Sequence, residues 1–198
     1  MKQKFTESGI EFLFNEEWVV KKYDGHPYYK KISGLNMKGV DFIGIYKGES
    51  LVFMEVKNYR IRYLGKTLQG LYDVFDTPKQ LAKKVLKKFN DSKNGILVIN
   101  NFLSNNWLLK PILPLFKKIP LMKWKKNDTL FWLHCQQLIE RNQLTNILLL
   151  ETNDKYPDYP HIDIRQFRKN LASHIKPAML VNSKQHPFKG SLKIVILK

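Results

Sequence analysis

The chain has 198 residues, of which 43% are hydrophobic, and its 34 lysines and arginines outnumber 17 acids to give a formal net charge of +17 at pH 7. This length can bury one sizeable core or two small ones, and the excess positive charge is typical of proteins that bind a polyanion such as nucleic acid. The lone cysteine, Cys135, excludes an internal disulfide framework and a multi-cysteine zinc site. Because the sequence has neither a secretory signal nor an apolar run of about 18 residues, we expect a cytoplasmic protein without a membrane partner.

The first predicted elements are short. Residues 10–14 follow Gly9 and fit either a helix or a strand, since a glycine weakens a helix by about 1 kcal/mol. Residues 18–23 and 28–32 are predicted to be strands on either side of a turn at 24–27, where Asp, Gly and Pro cluster.

A hairpin is predicted next, with apolar strands at 39–46 and 51–57 around a short polar segment that contains glycine. Because side chains alternate between faces along a strand, Glu55 and Lys57 point the same way. A three-residue loop would place Asp41 directly opposite Glu55, with the Cβ atoms about 5 Å apart. Two acids and a lysine should therefore converge among apolar neighbours.

These residue types suit metal-assisted hydrolysis of a phosphodiester. Mg²⁺ prefers oxygen ligands and is commonly held by one or two carboxylates plus substrate phosphate. Asp41 and Glu55 are the candidate carboxylate ligands, and the carbonyl of Val56 between them is a third candidate. Lys57 is placed to position a water or to stabilise negative charge developing on the phosphate. The competing interpretation is a charged hairpin on a solvated face, because alternating Glu and Lys are common on exposed strands.

Residues 38–60 resemble the metal-binding hairpin of the PD-(D/E)XK nucleases, the restriction-endonuclease-like superfamily. The resemblance implies an α/β fold whose core is a helix, a three-stranded antiparallel sheet, a helix and a further strand, here within residues 1–103. Val40 stands where the motif often has proline, a position that ligates no metal. Residues 104–198 would be a C-terminal α/β extension that either packs on the same sheet or forms a small second lobe.

Carried over residue by residue, the resemblance makes Asp41 and Glu55 the metal-binding acids and Lys57 the motif lysine. It implies Mg²⁺ as the cofactor, with Mn²⁺ expected to substitute. Many members add a glutamate from the first helix, and Glu11 is our candidate for that catalytic role. The other candidates are Glu7, Glu16 and Glu17.

The family's second helix is predicted to begin at Thr77, an N-cap residue followed by Pro78 and, three positions on, by Gln80. An apolar stripe continues it to Phe89, and residues 95–100 are predicted to be a short buried strand. Gln80 has two interpretations, a capping-box residue or an accessory residue of the active site.

Candidate nucleic-acid contacts follow the motif lysine directly. Arginine side chains can form bidentate hydrogen bonds to phosphate oxygens, and tyrosines can stack on bases. The predicted contacts are Tyr59, Arg60, Arg62, Lys83 and Lys84. An exposed strand whose aromatics cover the core would explain residues 59–63 equally well.

In the second half, residues 110–122 are predicted to be irregular because they contain three prolines. Residues 129–142 fit a helix, or a strand and then a helix. A helix is predicted at 164–175 after an Asp163 cap, and strands at 146–151, 178–182 and 192–197.

The sequence thus predicts a Mg²⁺-dependent nuclease that cleaves DNA in preference to RNA, with a homodimer or a larger assembly as the candidate oligomeric states. The alternative is a non-catalytic nucleic-acid-binding subunit of a defence or repair assembly that retains the nuclease fold.

Overall fold

The computed structural model describes residues 2–32, 34, 36–60, 62–64, 67–69, 76–105, 127–153 and 163–197, which form a mixed α/β fold. The strands are β1 Gln3–Glu7, β2 Ile10–Phe14, β3 Trp18–Lys22, β4 Phe42–Tyr46, β5 Ser50–Asn58, β6 Arg62–Leu64, β7 Thr67–Gln69, β8 Leu144–Glu151, β9 Met179–Val181 and β10 Leu192–Ile196. The helices are α1 Pro27–Ile32, α2 Pro78–Ser104, α3 Asp128–Glu140 and α4 Ile164–His174.

A five-stranded sheet in the order β3-β4-β5-β8-β9 organises the fold. The first three strands are antiparallel, and β8 and β9 then add in parallel beyond β5. Strands from both halves of the sequence therefore share one hydrogen-bonded sheet. The division of the chain at residues 103 and 104 stays a prediction.

The two faces of this sheet are covered by different layers. One face packs through Ile43, Phe53 and Leu148 against residues of α2, α3 and α4. The other face packs through Phe42 and Val52 against a small sheet in the order β1-β2-β10. The period of two along β4 and β5 separates these two cores, so consecutive residues enter different layers.

The predicted strand at 95–100 is wrong, because these residues lie in the middle of α2, a helix of 27 residues. A short run of apolar residues cannot by itself be assigned to a strand or a helix. Here the buried positions Phe89, Ser92, Ile96, Ile99 and Leu103 keep helical spacing through the run, so burial of one continuous face outweighs the cost of Gly95. The strand that comes after these helices in the sequence and pairs with β5 is β8, which contains the predicted strand 146–151.

The predicted strand at 28–32 is also wrong, because these residues form α1. Pro27 occupies the first helical position, where its missing N–H costs nothing, and the backbone N–H of Tyr28 donates to His26 Nδ1 at 3.3 Å. Lys30 and Lys31 lie in the last turn, where positive charge is favourable.

Most of the other predicted elements are confirmed. Residues 10–14 adopt the extended alternative, as β2, and residues 128–140 form a single helix, α3, whose N-cap is Asn127. Asp163 caps α4, as predicted, by accepting from the backbone N–H groups of Arg165 and Gln166. The predicted irregular segment at 110–122 lies outside the described residues. Among the residues described, no helix is long and apolar enough to cross a membrane.

Candidate active site

The predicted hairpin brings the two acids together at one end of the central sheet. Phe42 of β4 pairs with Met54 of β5, and Asp41 precedes Phe42 by one residue, so the register places Asp41 across from Glu55. The turn at 47–49 has positive φ at Lys47 and Gly48. The predicted loop length and register are therefore confirmed.

Both acids are buried, Asp41 with 8% and Glu55 with 0% of its surface exposed. One Asp41 oxygen accepts a 2.6 Å hydrogen bond from the backbone N–H of Val56, which fixes the carboxylate against β5. Lys57 Nζ lies 3.1 Å from Glu55 Oε1, so Asp41, Glu55 and Lys57 share one face of the sheet. This is the face on which the helices pack.

A second lysine, Lys88 of α2, completes the cluster. Its ammonium lies 2.7 and 2.9 Å from the two Glu55 oxygens and 3.9 Å from Asp41 Oδ1. The sequence-based prediction did not include Lys88 among the site residues. A signal was nevertheless present: Lys88 is three residues after Val85 and four before Ser92, which places it on the buried side of the helix.

Burial shapes the electrostatics of the site. Desolvation, reinforced by the Glu55 charge, raises the pKa of Asp41 from 3.8 to about 7, although Lys88 and the Val56 N–H act in the opposite direction. Burial alone would lower the pKa of Lys88, but Glu55 and Asp41 offset it and hold the pKa above its usual value. The lysines thus compensate two carboxylates that are costly to bury without a partner.

A cavity of about 520 Å³ opens beside Glu55, and five of the ten described residues that line it are lysines. Its lining residues are Lys38, Glu55, Lys57, Tyr59, Asp76, Leu81, Lys84, Val85, Lys87 and Lys88. Five lysines around a buried acid make this cavity suited to an anionic ligand such as a phosphate group.

The donor set fits a divalent cation. The carboxylates of Asp41 and Glu55 are hard oxygen ligands of the kind Mg²⁺ prefers, and the Lys88 ammonium shows that a single positive charge can approach both of them. Asp41 also belongs to a second group of acids, with Glu7 and Asp24. Each of the three offers a carboxylate oxygen within 4.8 Å of the others. Lys22 Nζ pairs with Glu7 at 2.7 Å.

Glu11 does not join this arrangement. It lies in β2 on the face opposite the buried Ile10 and Phe12, and its carboxylate pairs with Lys4 Nζ at 2.5 Å. The N-terminal glutamate near Asp41 is Glu7, at the end of β1. Glu7 faces the central sheet because strand alternation puts it on the same side as the half-buried Phe5.

The other predicted residues divide between the cavity and its surroundings. Gln80 forms the capping box with Thr77, as one of its two interpretations predicted. Tyr59 lines the cavity and packs against the core, and Lys84 lines the cavity and pairs with Asp76 at 2.7 Å. Lys83 lies in an adjoining groove with Lys79 and Lys87. Arg60 is half-buried and lies two residues after the end of β5, while the side chain of Arg62 lies outside the described residues.

Comparison with protein-family models, with curated proteins and with solved structures finds no match for this chain. The function is therefore inferred from the geometry of the site.

Proposed function

We propose that this protein is a metal-dependent nuclease that hydrolyses phosphodiester bonds, of DNA in preference to RNA. The observation that carries the proposal is the convergence of buried Asp41 and Glu55 with Lys57 at the edge of a lysine-lined cavity. Burying two acids costs free energy even when two lysines compensate them, so such a cluster indicates a functional site. The net charge of +17 supports a polyanionic substrate.

In the proposed mechanism Asp41, Glu55 and the Val56 carbonyl would hold a Mg²⁺ ion, for which Mn²⁺ would substitute. When bound, the ion would act as a Lewis acid and lower the pKa of its water. The Val56 N–H keeps the Asp41 carboxylate oriented. Lys57 reaches from the acids into the cavity, where it positions the attacking water and stabilises charge that develops on the phosphate. The remaining cavity lysines hold the backbone of the nucleic acid.

The decisive experiment incubates the purified protein with plasmid and with single-stranded DNA in the presence of Mg²⁺, Mn²⁺ or EDTA. We expect cleavage with either metal and none with EDTA. A parallel incubation with RNA tests the preference for DNA. Absence of cleavage under every metal condition would contradict the proposal.

Two observations favour the alternative, a non-catalytic nucleic-acid-binding subunit. Both oxygens of Glu55 are engaged by Lys88, and the predicted catalytic Glu11 faces away from the cluster. A binding subunit would retain tight, salt-dependent DNA binding without metal-dependent cleavage, and the same incubations combined with a binding assay separate the two functions.

The lysines of the cavity should dominate the salt dependence of DNA binding. Each neutralised phosphate releases counter-ions, so the double variant Lys84→Ala/Lys87→Ala should lower the slope of log K against log salt by about two. The measurement is fluorescence anisotropy of a labelled duplex across a salt series without divalent metal. The matched control is Lys169→Ala/Lys193→Ala, which removes two exposed lysines that do not line the cavity. Equal slopes in the two double variants would place the DNA path elsewhere, with Arg60 and Arg62 the next pair to replace.

A further inference from the structure

Lys88 occupies the place that a cation bridging the two acids would need. Its ammonium makes hydrogen bonds of 2.7 and 2.9 Å to the Glu55 oxygens and lies 3.9 Å from Asp41 Oδ1. Glu55 is completely buried, and its described positive partners are Lys88 and Lys57. Lys88 therefore acts as the counter-ion of the acids in the metal-free protein.

Lys88 engages both Glu55 oxygens and lies beside Asp41, whereas Lys57 pairs with Glu55 alone among the described acids. A Mg²⁺ ion held by the two acids needs their oxygens at about 2.0–2.1 Å, and an ammonium left between the same acids would repel it strongly. We propose that Lys88 is a built-in competitor of the metal, which leaves the acids when a divalent cation binds and then contacts the substrate phosphate. This inference rests on the proposed function, because it assigns Lys88 a part at the same site.

The cavity explains where the released ammonium goes. Lys88 is three-quarters buried yet already lines the cavity, so a change of side-chain rotamer suffices to turn it there. The lysines Lys38, Lys57, Lys84 and Lys87 line the same space, so a fifth ammonium is unfavourable in the empty cavity and favourable once a phosphate fills it. Metal and phosphate should therefore strengthen each other's binding, because both favour the released position of Lys88.

The first test uses the wild-type protein and needs no variant. Lysine amines are acylated and the rate at each position is read by mass spectrometry, with exposed Lys93 of the same helix as the internal reference. Saturating Mn²⁺ should raise the rate at Lys88 about fivefold or more relative to Lys93. Inorganic phosphate added to the Mn²⁺-loaded protein should lower it again. An unchanged or reduced acylation rate at Lys88 with Mn²⁺ would contradict the proposal that the metal displaces Lys88 from the acids. If phosphate does not protect Lys88, the proposed contact with the substrate phosphate is wrong.

The second test measures Mn²⁺ affinity by calorimetry in the wild type, Lys88→Met, Lys88→Gln and the control Lys93→Met. Removing the competitor should tighten binding about tenfold or more in both Lys88 variants, while Lys93→Met should match the wild type. Two Lys88 variants are used because Gln keeps a hydrogen-bond donor beside Glu55 if Met destabilises the fold. Unchanged or weaker binding by folded Lys88 variants, or no binding by any protein, would overturn the inference.

The outcomes for Lys88 and for the nuclease are distinguishable. If the Lys88 variants bind Mn²⁺ more tightly than the wild type but the wild type does not cleave DNA, the result supports Lys88 as a competitor of the metal and contradicts the proposed nuclease. Cleavage by the wild type with unchanged Mn²⁺ binding in the Lys88 variants would support the enzyme and contradict the competitor.

Discussion

Replacing Lys57 with alanine should reduce the proposed DNA cleavage about a thousandfold while leaving divalent-cation binding intact, since a positioned proton-transfer or charge-stabilising group contributes about 10²–10⁴ in rate. Lys57 Nζ lies 3.1 Å from Glu55 but reaches the cavity, with a third of its side chain exposed. It is thus placed to act on water or phosphate and is no ligand of the metal. The measurements are single-turnover cleavage and Mn²⁺ calorimetry on the same preparation.

Asp41→Ala provides the contrast, because it removes one of the two converging carboxylates and leaves the Val56 N–H without its partner. This variant should lose metal binding and cleavage together, whereas metal-free DNA binding should hold or tighten because an acid has been deleted near the cavity. Lys193→Ala, on the exposed face of β10, is the control and should cleave as the wild type does. Cleavage retained by Lys57→Ala or by Asp41→Ala would mean that the chemistry occurs elsewhere.

The part of the site that the sequence predicted is the part that local rules determine. Two apolar strands and a short turn fix the register, and the period of two then decides that Asp41, Glu55 and Lys57 share a face. No knowledge of the rest of the chain is required for that inference. The capping box at Thr77 and the N-cap at Asp163 were predictable for the same reason.

Long-range packing decided the parts that the sequence did not reveal. Residues 95–100 are apolar enough for a strand, and only the burial of one face along the whole of α2 makes them helical. Lys88 joins the site because α2 packs on the face of the sheet that carries the acids. Helical spacing puts Lys88 on the buried side of α2, but no local pattern shows which part of the sheet that side meets. Glu7, in place of Glu11, approaches Asp41 because β1 and β2 form a hairpin that packs on the sheet's other face.

The free energy of unfolding of the metal-free protein should depend on pH through the ionisation of Asp41. Its pKa is about 7 in the folded protein against 3.8 for an ordinary aspartate, because burial and Glu55 disfavour the charged form. Between these two values the folded state binds a proton that the unfolded state lacks, so the free energy of unfolding falls as pH rises, by about 1.4 kcal/mol per unit. The stabilisation is complete below the unfolded pKa and is lost as pH rises through about 7.

In EDTA, the free energy of unfolding of the wild type, measured with urea, should therefore fall by about 2–3 kcal/mol between about pH 5 and pH 7 relative to that of Asp41→Asn, which cannot ionise. Asp91→Asn is the matched control. Although burial acts in the opposite direction, Lys87 and the Lys38 N–H hold the pKa of Asp91 below its usual value, so Asp91 is ionised in both states across this window and its loss should shift stability without changing the slope. Saturating Mn²⁺ should flatten the wild-type slope, because a bound cation selects the ionised carboxylate. A wild-type slope in EDTA equal to that of Asp41→Asn would show that Asp41 is already ionised at acid pH, and metal binding at the site would then lack the proton competition that burial of this acid predicts.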